Sequence, residues 1–154
     1  MKQFYIFSIL CCTSTLFADF VDIEADHFYA NDINQVAYFE GHAHIKQAKN
    51  EFNASKIVVY FNQQKEATKY EAIGNVKFDL TETRIHYKGQ AQKVKYSPKH
   101  SKYFFSGSVI LEDLTNNRII RAETISLDLK TGLADIKGKR KKPVHFRFEI
   151  EDRR

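Results

Sequence analysis

Cysteine is nearly missing from this chain. The 154-residue sequence has two, Cys11 and Cys12, both inside the first eighteen residues. That stretch carries Lys2, an apolar run from Phe4 through Leu10 into the two cysteines, and Leu16-Phe17-Ala18 ahead of Asp19. It reads as a secretory signal cleaved after Ala18. The run is short for a transmembrane helix, and an uncleaved N-terminal anchor is the alternative. A lipoprotein site is disfavoured, because Leu10 and Cys11 stand where a small residue should precede the cysteine. With the signal removed, residues 19–154 hold no cysteine. Disulfides and thiol chemistry are thereby excluded, and packing alone must hold the fold.

Catalytic patterns are missing as well. The sequence shows no Ser/His/Asp arrangement, no glycine-rich phosphate loop and no nucleotide motif. The carboxylates fall mostly on outward positions, and no pair suggests acid–base work. His42 and His44 share a strand face, but Ala43 and Ile45 claim the inward side and no third metal ligand is evident. His27, His86, His100 and His145 are scattered. The expectation is a non-enzyme without metal or cofactor. Net charge is +5, or +4 without Lys2, and an export signal argues against nucleic acid as the partner. Proline occurs only at 98 and 143, outside the strand interiors, as a sheet requires. No linker and no helical periodicity over two turns appear, so 19–154 reads as one domain.

What the chain does have is a recurring glycine. Gly41, Gly74, Gly107 and Gly138 are 33, 33 and 31 residues apart. Two places before each stand Phe39, Ala72, Phe105 and Ile136; two places after stand Ala43, Val76, Val109 and Arg140. A period of this length marks a repeated supersecondary unit. Between the glycines a second unit recurs around Ala25, Ala54, Ala91 and Ala122. Its apolar phase advances by three residues once, to Phe28, Ile57, Val94 and Ile125, and then by twos. Since a strand has period 2, the single step of three predicts a bend carrying the strand from one sheet to another, with the glycine permitting a corner. Ordinary alternating strands with bulges are the alternative. Loops are expected at 46–51, 62–67, 79–84, 97–101, 113–118 and 130–132. Val144, Phe146, Phe148 and Ile150 alternate with polar residues and predict a half-buried tail strand.

The inward set includes Phe28, Phe39, Ile57, Val59, Val76 and Phe78, then Phe105, Val109, Leu111, Ile125, Leu127 and Ile136. These residues allow a filled core or an apolar slot between diverging sheets, and most such ladders are cores.

Val21-Asp-Ile-Glu-Ala-Asp26, Ala72-Ile-Gly-Asn-Val76, Ser106-Gly-Ser-Val109 and Arg121-Ala-Glu-Thr-Ile125, in this order and behind an export signal, resemble the OstA-like proteins of lipopolysaccharide transport, and their periplasmic bridge component most of all. The resemblance covers about residues 21–138. No single motif is specific; order, period and signal carry it together. It implies an all-β fold: a twisted, open-ended antiparallel β-jelly roll of ~33-residue repeats. It implies that the twelve inward residues just named line a groove for the acyl chains of lipid A. It implies head-to-tail self-pairing of edges, here Val21 and Ile23 against Val144, Phe146 and Phe148. The implied partners are an inner-membrane LptC-like subunit of an ATP-driven exporter and an outer-membrane LptD-like translocon. The fourth unit departs from the pattern, with Arg140 and Lys142 where the second has Val76 and Phe78. Lys137, Lys139, Arg140, Lys141 and Lys142 either meet lipid phosphates or protect an edge strand. The other functional readings are a membrane-anchored, LptC-like docking subunit and a structural envelope protein that binds no lipid.

Overall fold

The computed structural model describes residues 20–150. The expected signal and its cleavage site lie outside them. Ten strands follow one another: β1 (Val21–Glu24), β2 (His27–Asn31), β3 (Val36–Gln47), β4 (Asn50–Phe61), β5 (Ala67–Glu82), β6 (Ile85–Ser97), β7 (Lys102–Asp113), β8 (Arg118–Asp128), β9 (Ala134–Lys137) and β10 (His145–Phe148). No helix occurs among the described residues. All pairings are antiparallel, in the order β1-β3-β4-β5-β6-β7-β8-β10, with β2 also on β3 and β9 also on β8. The short strands work in pairs. β1 pairs with His44–Gln47 and β2 with Val36–Glu40, the two halves of β3. β10 and β9 divide β8 in the same way. Each end of the stack is thus one long strand interrupted midway, and eight strands in all cross the molecule.

The interruptions fall where the long strands bend. Gly41, Gly74 and Gly107 have φ of 81°, 85° and 84°, and the residues after them, His42, Asn75 and Ser108, have φ near 45°. Two successive left-handed residues turn a strand, and glycine takes the first of them without strain. Register shifts at each of these points. The facing strand supplies the alanine unit: a Cβ on Gly107 would lie 2.6 Å from Gln92 Cβ, and one on Gly74 2.9 Å from Ser55 Oγ. The step of three and the glycine are the two sides of one corner. Every strand therefore runs through two sheets that meet at a spine of corners.

The fourth glycine behaves differently. Gly138 is not among the left-handed residues. After Lys137 the chain leaves the sheet, closes a small turn through reciprocal Lys139–Lys142 backbone bonds, and rejoins β8 at His145. Gly138 is needed for close packing, because its Cβ would lie 2.7 Å from Lys142 O and Val144 N. The tail strand is also shorter and barer than its alternation suggests. It spans His145–Phe148, every residue is exposed, and Val144 precedes it. As the last strand of the stack it has no neighbour to cover its inner face. Positions 46–51 and 79–84 are tight hairpins, not loops: only Ala48 and Lys49 separate β3 from β4, and only Thr83 and Arg84, both at positive φ, separate β5 from β6, a two-residue turn in each case. The other expected turns stand in place.

Inward positions line up strand by strand. In the first sheet one row reads Phe28, Phe39, Ile57, Ala72, Val94, Phe105, Ile125, Ile136. In the second, one reads Ile23, Ile45, Phe52, Phe78, Gly89, Leu111, Ile120, Phe146. Gly89 leaves room for the Phe78 ring, whose Cζ would be 2.6 Å from a Cβ there. Ala43, Val76, Ala91 and Val109 pack along the spine, each nearly or fully buried.

Candidate functional site: the cleft between the sheets

The two sheets close on each other through aromatic side chains. Phe78 of the second sheet meets Phe105 of the first at 4.8 Å between ring centroids, and Phe52 meets Tyr103 at 6.3 Å. Tyr70, Tyr96 and Tyr103 form a ladder on the first sheet, stacked at 6.2 and 4.3 Å. Between these contacts the sheets leave a cleft lined from β3 through β7 by Ile45, Phe52, Ile57, Tyr70, Val94 and Tyr96, among others, with a cavity volume of about 60 Å³. That is room for a few waters and well short of a fatty-acyl chain. The interior is thus a filled core with a small apolar slot between the sheets.

A polar clasp spans the cleft. The Tyr103 hydroxyl donates to Glu82 Oε1 at 2.9 Å, across the gap between the sheets. Asn50 Nδ2 donates to the same oxygen at 2.7 Å, and Asn50 Oδ1 accepts from the Thr81 backbone N–H at 2.8 Å. Burial, with the Glu82 charge beside it, pushes the Tyr103 hydroxyl far above the usual tyrosine range, so it stays a donor. Burial also raises Tyr70, Tyr87 and Tyr96. Further along the same rim, Asp113 is buried. It accepts from Asn116 and pairs with Arg118, whose Nε lies 2.9 Å from Oδ2. Burial alone would lift the Asp113 carboxyl, but the bonds from Asn116 and Arg118 outweigh it and hold the group below its ordinary value.

All twelve inward residues named from the sequence face the interior. Ile57, Val59, Val76, Phe78, Phe105, Val109, Leu111 and Ile125 are buried; Phe39, Leu127 and Ile136 are half-buried. Phe28, at the open end of its row, is 58% exposed. Only Ile57 of the twelve lines the cleft itself. The lining residues Phe52, Tyr70 and Tyr103 escaped the sequence reading, although the period contains them. Tyr70 and Tyr103 stand four places before a corner glycine, and Phe52 two places before Ala54. Glu82 and Asn50 carry no periodic signal. Lys137, Lys139, Arg140, Lys141 and Lys142 gather at corner level on the edge formed by β9 and β10, and none of them lines the cleft. Val21 and Ile23 stand at the opposite edge from Phe146 and Phe148.

The described residues thus form a stack with free strand edges at both ends and an apolar interior closed by a few polar contacts, and hold no cluster of metal-ligating side chains. Residues 22–133 match the model of the family described as LptA/(LptD N-terminal domain) LPS transport protein, and the chain belongs to that family. It is accordingly a transport protein and not an enzyme. Among solved structures, the crystal structure of LptH, the LptA-homologous periplasmic component of the lipopolysaccharide transport device of Pseudomonas aeruginosa, superposes with a TM-score of 0.72 over 84% of this chain and 95% of that one, at 9% identity. The two share the β-jelly-roll fold with little sequence in common. No curated protein matches the sequence.

Proposed function

We propose that the protein carries lipopolysaccharide through the periplasm, sheltering the acyl chains of lipid A between its two sheets, as one link of a head-to-tail bridge. The observation that carries this reading is the pair of inward rows that cross all eight strands, the first sheet's running out into exposed Phe28 at the β2 edge and the second sheet's into exposed Phe146 at the β10 edge. A core that served folding alone has no reason to continue into bare aromatics at both edges. Shelter matters because each methylene exposed to water costs about 0.8 kcal/mol, so a chain of roughly ten carbons costs about 8 kcal/mol. An acyl chain enters when the sheets part at the cleft, and the Tyr103–Glu82 contact has to open for that.

Strand count supports the bridge. Eight crossings make the first strand, β1–β2, run from the second sheet to the first, and the last, β9–β10, run back. A second copy set against the free edge of β9–β10 continues the antiparallel alternation, first sheet to first sheet. Within such a bridge the end partners are an LptC-like subunit of the exporter and an LptD-like translocon.

Binding to lipopolysaccharide and to its deacylated form tests the lipid reading. The acylated form binds and the deacylated form does not, and Phe52→Asp abolishes the difference. Equal binding of both forms rules out the cleft as the site. N-terminal sequencing of the exported protein settles its anchorage: a start at Asp19 fits the carrier, whereas a retained signal makes the chain an anchored docking subunit.

A further inference from the structure

The two edges of the stack carry opposite charge. Residues 20–32, with β1 and β2, contain four carboxylates (Asp22, Glu24, Asp26 and Asp32) and no lysine or arginine. Residues 134–149, with β9 and β10, contain six lysines and arginines against two carboxylates. Among the described residues Lys137 pairs with Asp135 at 3.7 Å and Lys139 with Glu123 at 3.3 Å; Arg140, Lys141, Lys142 and Arg147 make no ion pair. All of 137–150 is exposed. Lysines at a sheet edge often serve only to block pairing. A guard of that kind works with one sign on both edges. Opposite signs repel like edges and attract unlike ones, which forbids a symmetric dimer and favours a heterologous, open-ended stack.

The outward rows name the contacts. One row reads Asp22, Lys46, Glu51, Asp79, Lys88, Glu112, Ile119, Arg147. Continued into a second copy, its next member is that copy's Asp22, set beside Arg147. The neighbouring row ends at His145, reached through Arg121, and begins at Glu24. At corner level, where the chain makes its excursion through Lys139–Lys142, the other edge presents Asp26, whose Oδ2 also meets His42 Nδ1 at 2.7 Å. On the inward side the same alignment sets Ile23 beside Phe146, keeping the apolar row continuous across the junction.

We infer that charge sets the polarity and register of self-assembly: the acidic β1–β2 edge of one copy docks on the basic β9–β10 edge of the next, with Asp22 against Arg147 and Asp26 against the Lys139–Lys142 excursion. The inference rests on the head-to-tail reading above and adds what selects the partner edge. It gives the basic run a protein partner in place of lipid phosphates.

Sedimentation velocity on the protein purified after export tests it. The wild type forms concentration-dependent stacks that shrink as salt rises from about 0.1 M to about 1 M, where the screening length falls from about 10 Å to about 3 Å. Asp22→Arg alone and Arg147→Glu alone each weaken association roughly tenfold. An equimolar mixture of the two restores it, because each altered edge then meets its complement. Both positions are exposed, and circular dichroism verifies the fold of each variant. Stacks in the single variants as long as in the wild type, or a mixture no better than its components, overturn the charge assignment while leaving head-to-tail stacking intact. A wild type that stays monomeric at every concentration overturns both. Lys141→Glu/Lys142→Glu lowers association as well; a variant that instead loses lipopolysaccharide binding with its stacking unchanged returns the basic run to the lipid.

Discussion

The corners depend on single residues whose backbone angles only glycine adopts without strain. Gly107 combines φ of 84° with Gln92 Cβ 2.6 Å from where its own Cβ would be, whereas Gly132 has φ of 74° and open space around it. Gly107→Ala therefore destabilises by about 2–3 kcal/mol, and Gly132→Ala by about 1 kcal/mol. Urea unfolding of the two variants measures the difference, and equal losses contradict the corner. The corner glycines were legible in the sequence because a 33-residue period exposes them. Asp113 was not. Its burial depends on the partner strand bringing Arg118 to its side, and neither residue lies on the apolar period. With the folded carboxyl held below its unfolded value, the unfolded chain binds the proton more tightly. The stability from this group is then complete above about pH 4 and drains away as pH falls through the folded value. Asp113→Asn removes that acid sensitivity and lowers neutral-pH stability by about 1–3 kcal/mol, since Arg118 loses its partner. Urea midpoints at about pH 7 and about pH 3 show a smaller drop in the variant than in the wild type; an unchanged drop assigns the acid response elsewhere.

Strand phase is the property on which each element rests. Phe78 is buried against Gly89 and Phe105, and its neighbour Lys77 faces out. Phe78→Asp therefore costs more than about 4 kcal/mol, and Lys77→Asp stays within about 0.5 kcal/mol. If both behave alike in thermal unfolding, the inward and outward faces are misassigned. The phase could be read because apolar residues alternate on both sides of the corner glycine in β5 and β7. Phase fails as a guide at β9–β10. There Val144 to Ile150 alternate as cleanly as any core strand, yet they lie bare, because alternation records which face is apolar and not whether anything covers it. The clasp was equally hidden, as Tyr103 and Glu82, 21 residues apart on β7 and β5, meet only when the two sheets close on each other. Tyr103→Phe removes one hydrogen bond across the cleft, worth about 1 kcal/mol, and so raises the opening equilibrium roughly fivefold. Uptake of a fluorescent fatty-acyl probe becomes faster in that variant by a similar factor; an unchanged rate places the barrier in the aromatic contacts instead.

At the scale of the molecule, one repeat explains both the interior and the ends. Each crossing strand adds one residue to every row, so the apolar rows lengthen with the stack and its two edge strands keep a free side. Deleting 143–154 removes β10, which bears Phe146, Phe148 and Arg147. On the head-to-tail reading that truncation gives shorter assemblies in light scattering than the full chain, and it leaves most of the fold, because β8 keeps its pairing with β7 and β9; an unchanged size distribution contradicts the edge role of β10. Repeat, sheet class and inward faces were all written in the local pattern; the cleft was not, since its volume is a small difference between two packed surfaces. The position of the acyl chain is the central question. A photocrosslinking amino acid placed in turn at Phe28, Phe39, Phe52 and Phe146, with Lys77 and Phe104 as outward controls, reports it in the presence of lipopolysaccharide. Adducts are expected at all four inward positions and at neither control. Adducts at the controls, or none at the inward positions in a folded protein, would contradict an acyl chain held between the sheets.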